Sequence, residues 1–155
     1  MKKVLIIVYS YHHMNTEKVA HVIANELEAE IKHPDEIDVE EIQDYDLVGF
    51  GAGIDSGKHY SPILDLANSL PVIKNIKAFV FSTSAILNEK KMLKDHSELR
   101  NILVSKGYDI VDEFSCVGFN TNLFLKWFGG MNKGRPNEDD LLKAEEFAEN
   151  LKKYL

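Results

Sequence analysis

The chain has 155 residues, a formal charge of -7 at pH 7 and one cysteine, and 45% of its residues are hydrophobic. That length and apolar content suit a single domain over 1–155, while the acidic balance argues against a nucleic-acid backbone as partner and favours protein surfaces with basic patches. The lone Cys116 excludes an internal disulfide, a Cys-rich zinc site and dithiol chemistry, so any redox role needs a bound cofactor.

The first apolar run, Val4-Leu5-Ile6-Ile7-Val8, predicts a strand over Lys3 to Tyr9 buried on both faces. It is too short for a secretory signal, and no stretch approaches the ~20 apolar residues of a membrane span, so the expected compartment is the cytoplasm. From Asn15 to Glu30, Val19, Ile23 and Leu27 recur every fourth residue with Ala20 and Ala24 beside them, which predicts a helix with one buried face. A short piece at Ile31 and Lys32 precedes Pro34, and a second strand is expected over Asp46 to Ala52. Ile63, Leu64, Ala67 and Leu70 mark a helix, and Lys77 to Thr83 a further buried strand. Met92, His96, Leu99 and Leu103 predict one helix. Tyr108 to Cys116 alternates through Ile110, Asp112, Phe114 and Cys116 as a half-exposed strand, and a closing helix starts at Asn137.

Strands separated by helices require parallel pairing through right-handed crossovers, so the expected fold class is α/β, a three-layer sandwich around a five-stranded parallel sheet. Ligands bind such sheets outside the carboxyl ends of the strands, which selects the loops after Tyr9, Ala52 and Thr83. Ser10-Tyr11-His12-His13-Met14-Asn15-Thr16 supplies hydroxyls, an amide and the backbone donors of a helix start, a neutral anion cradle to which His12 or His13 adds charge when protonated. The competing reading is that Asn15 or Thr16 only caps the helix. Gly51-Ala52-Gly53-Ile54 and the residues to Tyr60 form a glycine-rich loop, and Thr83-Ser84-Ala85 a loop of small side chains.

These residues resemble the flavodoxin family, whose phosphate loop reads Ser/Thr-x-Thr-Gly-Asn-Thr; Ser10, Asn15 and Thr16 match it. The loop is one residue longer here, and Met14 stands in the place of the glycine. The resemblance is strongest over residues 4 to 16, 46 to 60 and 129 to 142. It implies strand order 2-1-3-4-5, FMN as cofactor and electron shuttling between redox partner proteins. Its cofactor-binding residues map to Ser10, His12, His13, Met14, Asn15 and Thr16 at the phosphate. Ala52, Gly53 and Ile54 on one side and Thr83, Ser84 and Ala85 on the other map to the flavin ring. Ile54 and Ile86 occupy the places where relatives stack an aromatic, which leaves Tyr60 or Phe119 for that role, and carboxylates near the ring would lower its potential.

Two alternatives stay open at this point: an FMN-dependent NAD(P)H:quinone-type oxidoreductase on the same scaffold, and a flavin-free interaction or signalling domain. The aromatic connection from Phe119 to Phe128 either packs as a short helix or serves as a flavin cover or docking patch. Cys116 reads as a small core residue with no basic neighbour to activate it. A metal site is not expected, because adjacent His12 and His13 point apart and lack a third ligand at helical spacing. Neither a Walker loop nor a G-x-G-x-x-G fingerprint is present, so nucleotide triphosphatase and dinucleotide-binding readings fail.

Overall fold

The computed structural model describes residues 1–11, 14–85, 88–118 and 134–155. Apolar runs become parallel strands: β1 (Val4–Tyr9), β2 (Glu30–Lys32), β3 (Leu47–Asp55), β5 (Ile76–Ser84) and β6 (Tyr108–Val117), in the order β2-β1-β3-β5-β6. The five parallel strands follow the expected order. The sixth, β4 (Lys58–His59), is an addition that pairs antiparallel with the end of β3.

Helices cover both faces. α1 (Asn15–Leu27) packs on the last helix, α5 (Glu138–Leu151), over one face; α2 (Ser61–Ser69) packs on α4 (Ser97–Ser105) over the other, with α3 (Glu89–Asp95) preceding α4. Each central strand alternates between two cores: Phe79 and Phe81 point toward α1 and α5, while Ala78 and Val80 point toward α2 and α4. Full burial of Phe50, Phe79 and Phe81 contributes about 1.5–3 kcal/mol each. Phe81 lies across from Gly51, where a Cβ would come within 2.2 Å of its ring, so this glycine serves strand packing rather than a ligand.

Three expectations are corrected. The glycine-rich segment after Ala52 is not an open loop: β3 runs on to Asp55, turns at Ser56 and Gly57, both left-handed with φ 53° and 78°, and returns as β4. Paired left-handed residues match the right-handed twist of a hairpin. The helix expected through Met92 and Leu103 is divided at His96, whose side chain is fully buried and anchored to the sheet. In β6 a register shift pairs Ala78 with Ile110 but Phe79 with Asp112, so Val111 is an extra residue. The bulge reverses the faces, and Ile110 packs with the α2–α4 core while Phe114 and Cys116 pack with the α1–α5 core.

Candidate functional site

The carboxyl ends of β1, β3, β5 and β6 open onto one cleft. Ser10, Tyr11, Asn15 and Thr16 form one wall, Gly53, Ile54 and Tyr60 another, and Thr83, Ser84, Ala85 and Gly118 close it. Three segments far apart in sequence thus supply eight of the residues read as cofactor-binding: Ser10, Asn15, Thr16, Gly53, Ile54, Thr83, Ser84 and Ala85. Ala52 does not line it; it is fully buried in β3. His12, His13, Ile86 and Phe119 lie outside the described residues, as does the 119–133 connection. Tyr11 and Gly118 were not singled out beforehand. Tyr11 stood within the quoted loop, but Gly118 carried no signal.

Met14 shows how the chain manages without the family's glycine. It precedes α1 in the left-handed conformation, φ 53° and ψ 31°, a region that costs a side-chain-bearing residue about 1–2 kcal/mol. Its side chain is half exposed and faces the neighbouring hollow with Val8, Tyr9 and His33. Met14, at the N-cap, makes no side-chain capping bond, and Lys18 N–H reaches back to Met14 O at 3.1 Å to begin the helical ladder. The preceding donors of the first turn therefore stand outside that ladder, with the positive end of the helix dipole. Glu17, the acid of that turn, bonds His33 Nε2 at 3.2 Å and lines the neighbouring hollow instead of the cleft. The start of α5 is built the opposite way: Asn137 Oδ1 accepts from Asp140 N–H at 3.0 Å, and Asp140 accepts from Asn137 N–H at 2.8 Å.

The walls are tied together by side chains. Thr16 Oγ1 and Thr83 Oγ1 lie 2.8 Å apart and are buried, joining the first turn of α1 to the end of β5. Tyr60 packs over Gly53, where a Cβ would come within 2.7 Å of its ring, and stands edge-on to Tyr9 and Tyr11 at 6.0 and 6.1 Å between centroids. Burial and then the charge of Asp55 push its phenol up to about 12, so it is a neutral ring at physiological pH.

Beneath the hairpin lies a buried polar network. His59 Nε2–H donates to the Phe81 carbonyl at 3.0 Å, and its ring sits 4.8 Å from that of His96. Burial, then the neighbouring His96, lowers the His59 pKa to about 3, so it is a neutral imidazole. His96 Nδ1 donates to Glu113 at 3.0 Å, and its Nε2 lies 2.7 Å from Ser82 Oγ, which donates onward to Ser115. Arg100 holds Glu113 through two nitrogens, at 2.9 and 2.7 Å. Burial alone would raise the Glu113 carboxyl, but the bonds from His96 and Arg100 prevail and hold it at about 2. Ser82, His96 and Glu113 have the connectivity of a hydrolase triad. Ser82 is only 1% exposed and its hydroxyl donates to Ser115, so this triad has no route to a substrate and braces the sheet end instead.

The cleft suits the FMN that the resemblance implies. None of its described lining residues is charged, the N-cap residue Met14 makes no side-chain capping bond, and hydroxyl-bearing residues line it from two sides. A phosphate there would meet helix-start N–H groups with no carboxylate in the described lining, and Ala85 leaves wall area without a bulky side chain. Among the described residues no group of three His, Cys, Asp or Glu side chains is placed to hold a metal. Cys116 is buried, its thiol pushed up to about 12 by burial and then by Asp140, which makes it inert. No helix among the described residues is long and apolar enough to cross a membrane.

Comparison with known proteins gives the same answer along the whole chain. A protein of Methanocaldococcus jannaschii described as uncharacterised is 47% identical over 151 residues, covering 97% of this chain and 99% of that one. Flavodoxin 2 from Bacillus cereus superposes with a TM-score of 0.73 at 19% identity over 99% of both chains, and an archaeal flavodoxin with 0.71 at 15% over 97% and 98%. At those identities the two solved structures establish the fold alone. The model of the flavodoxin domain family matches residues 6–133, and the chain therefore belongs to the flavodoxin family.

Proposed function

We propose that this protein binds FMN in the cleft at the carboxyl end of its sheet and carries electrons between redox partner proteins. The observation that supports it most directly is the convergence of the α1 start, whose N-cap Met14 offers no capping side chain, on a cleft whose described lining is uncharged. Ser10, Asn15 and the first-turn backbone of α1 would hold the phosphate, with Thr16 braced by Thr83. His12 and His13 belong to this loop in sequence and would add charge when protonated. Ile54, Thr83, Ser84 and Ala85 would flank the ring, and Tyr60 would offer it an aromatic face. FMN supplies the redox chemistry when bound; the protein supplies binding, orientation and a wall on each side. The overall charge of -7 favours partners with basic docking surfaces.

The test is the visible absorption of purified protein with and without added FMN, followed by anaerobic reduction and by addition of NADH or NADPH. A perturbed flavin spectrum, weakened by Asn15→Ala, with no turnover of either nicotinamide, supports the carrier. Turnover with a quinone acceptor would move the protein to the oxidoreductase class. An unperturbed spectrum would leave a flavin-free interaction domain.

A further inference from the structure

Lys91 stands out because the wall it touches is otherwise uncharged. It lies on α3, where its backbone N–H is held by the Asn88 cap at 2.7 Å, so the side chain leaves the helix from a fixed point. Its ammonium pairs with Asp95 and lies 3.4 Å from Ser84 Oγ, the hydroxyl on the cleft wall. Asp95 is only 4% exposed and sits under the hairpin turn, its Oδ1 3.9 Å from where a Cβ on Gly57 would lie. The ion pair is therefore oriented: the carboxylate is anchored in the interior beneath the hairpin, and the ammonium is presented to the cleft one hydroxyl away.

We propose that Lys91 is a positioning cation that favours the reduced, anionic form of the cofactor, an inference that rests on FMN being the ligand of this cleft. Two electrons from a redox partner protein and one proton from solvent convert oxidised FMN into a reduced form with one more negative charge on its ring. The oxidised ring gains little from a nearby ammonium, whereas the anionic ring gains Coulomb energy from it, because the low-dielectric wall screens the interaction less than water does. Asp95, paired with the ammonium, cancels part of this field, and the remainder acts at the cleft. Asp55, the residue after Ile54, brings a carboxylate to another wall, where its charge acts on Tyr60, and Lys91 opposes it from the Ser84 side.

The experiment measures dissociation constants of oxidised FMN by fluorescence quenching and midpoint potentials by dithionite titration under anaerobic conditions, for the wild type, Lys91→Gln and Lys91→Arg. Lys91→Gln is expected to leave the affinity for oxidised FMN within about twofold and to weaken binding of the reduced form about tenfold, which for a two-electron couple lowers the potential by about 30 mV. Lys91→Arg keeps the charge and should restore most of that difference, which a merely structural loss would not do. Raising the ionic strength should narrow the gap between wild type and Lys91→Gln. Equal potentials for wild type and Lys91→Gln, with both binding oxidised FMN, overturn the role of Lys91 and leave the FMN reading intact. Failure of the wild type to bind FMN at all overturns both.

Discussion

The cleft and the network one layer below it are built from neighbouring residues of the same strand, yet they treat polarity in opposite ways. Ser82 is turned inward, where His96 and Ser115 saturate it; Thr83 and Ser84 line the cleft, where an uncharged wall adjoins the start of α1. In the network each charge has a partner, Glu113 held by both Arg100 and His96. The lesson is that the two regions differ in charge and exposure: the network buries a paired carboxylate and guanidinium, whereas the described lining of the cleft is uncharged and open.

Breaking the network should cost the most. Glu113→Ala leaves Arg100 and His96 without their shared carboxylate, and loss of about 3 kcal/mol is expected in urea unfolding, with FMN affinity of the folded protein little changed. Acid sharpens the same contrast without a mutation. His59 is neutral with a folded pKa of about 3 against an unfolded value of ~6.5. Between these values the unfolded chain binds more protons, so this contribution is complete above pH ~6.5 and is lost as pH falls toward 3; the expected decline is on the order of a few kcal/mol. Glu113, lowered to about 2, acts in the same direction below pH ~4.5. Urea midpoints of the wild type and His59→Asn across pH 7 to 4 check this, the variant showing the shallower slope.

On the cleft side, Met14→Asp places a carboxylate at the start of α1, where it competes for the donors and repels the phosphate. FMN affinity should fall about hundredfold, or ~2.8 kcal/mol, while riboflavin, which lacks the phosphate, binds as before. Parallel fluorescence titrations with the two ligands decide it. The smallest effect is expected from Met14→Gly, which relieves the left-handed strain but increases the entropy of the unfolded chain; a net gain below about 1 kcal/mol should appear as a slightly raised melting temperature of the apo-protein.

Much of this contrast was half legible in the sequence. The cleft side was readable because each of its loops directly follows a buried apolar strand, and strand ends of a parallel sheet are where ligands bind. At Met14 the sequence left two outcomes open, a strained left-handed backbone or a different loop path, and the structure shows the left-handed one. The network was not. His59 and Ser82 carry no periodic signal, and His96 fits the apolar stripe of a helix as well as any core residue, so its role depends on Glu113 and Ser82 arriving from two adjacent strands. The hairpin was missed for a local reason: β4 has two residues, too few for alternation to register, and Gly51, Gly53 and Gly57 hide a strand and a turn under one loop-like composition. The bulge at Val111 was invisible because both faces of an edge strand are only partly buried, and either register satisfies the pattern.

The hydroxyl pair of Thr16 and Thr83 also constrains the order of events during folding. Its partners are separated by 67 positions, and the loop between them must close before either oxygen finds the other. A nascent chain ending short of β5 therefore has the first loop and α1 but no cleft, and the cofactor can meet a finished site only after β3 and β5 have docked beside β1. Binding so late in assembly acts on the unfolding rate: excess FMN should lengthen the lifetime of the native state while leaving the refolding rate nearly unchanged.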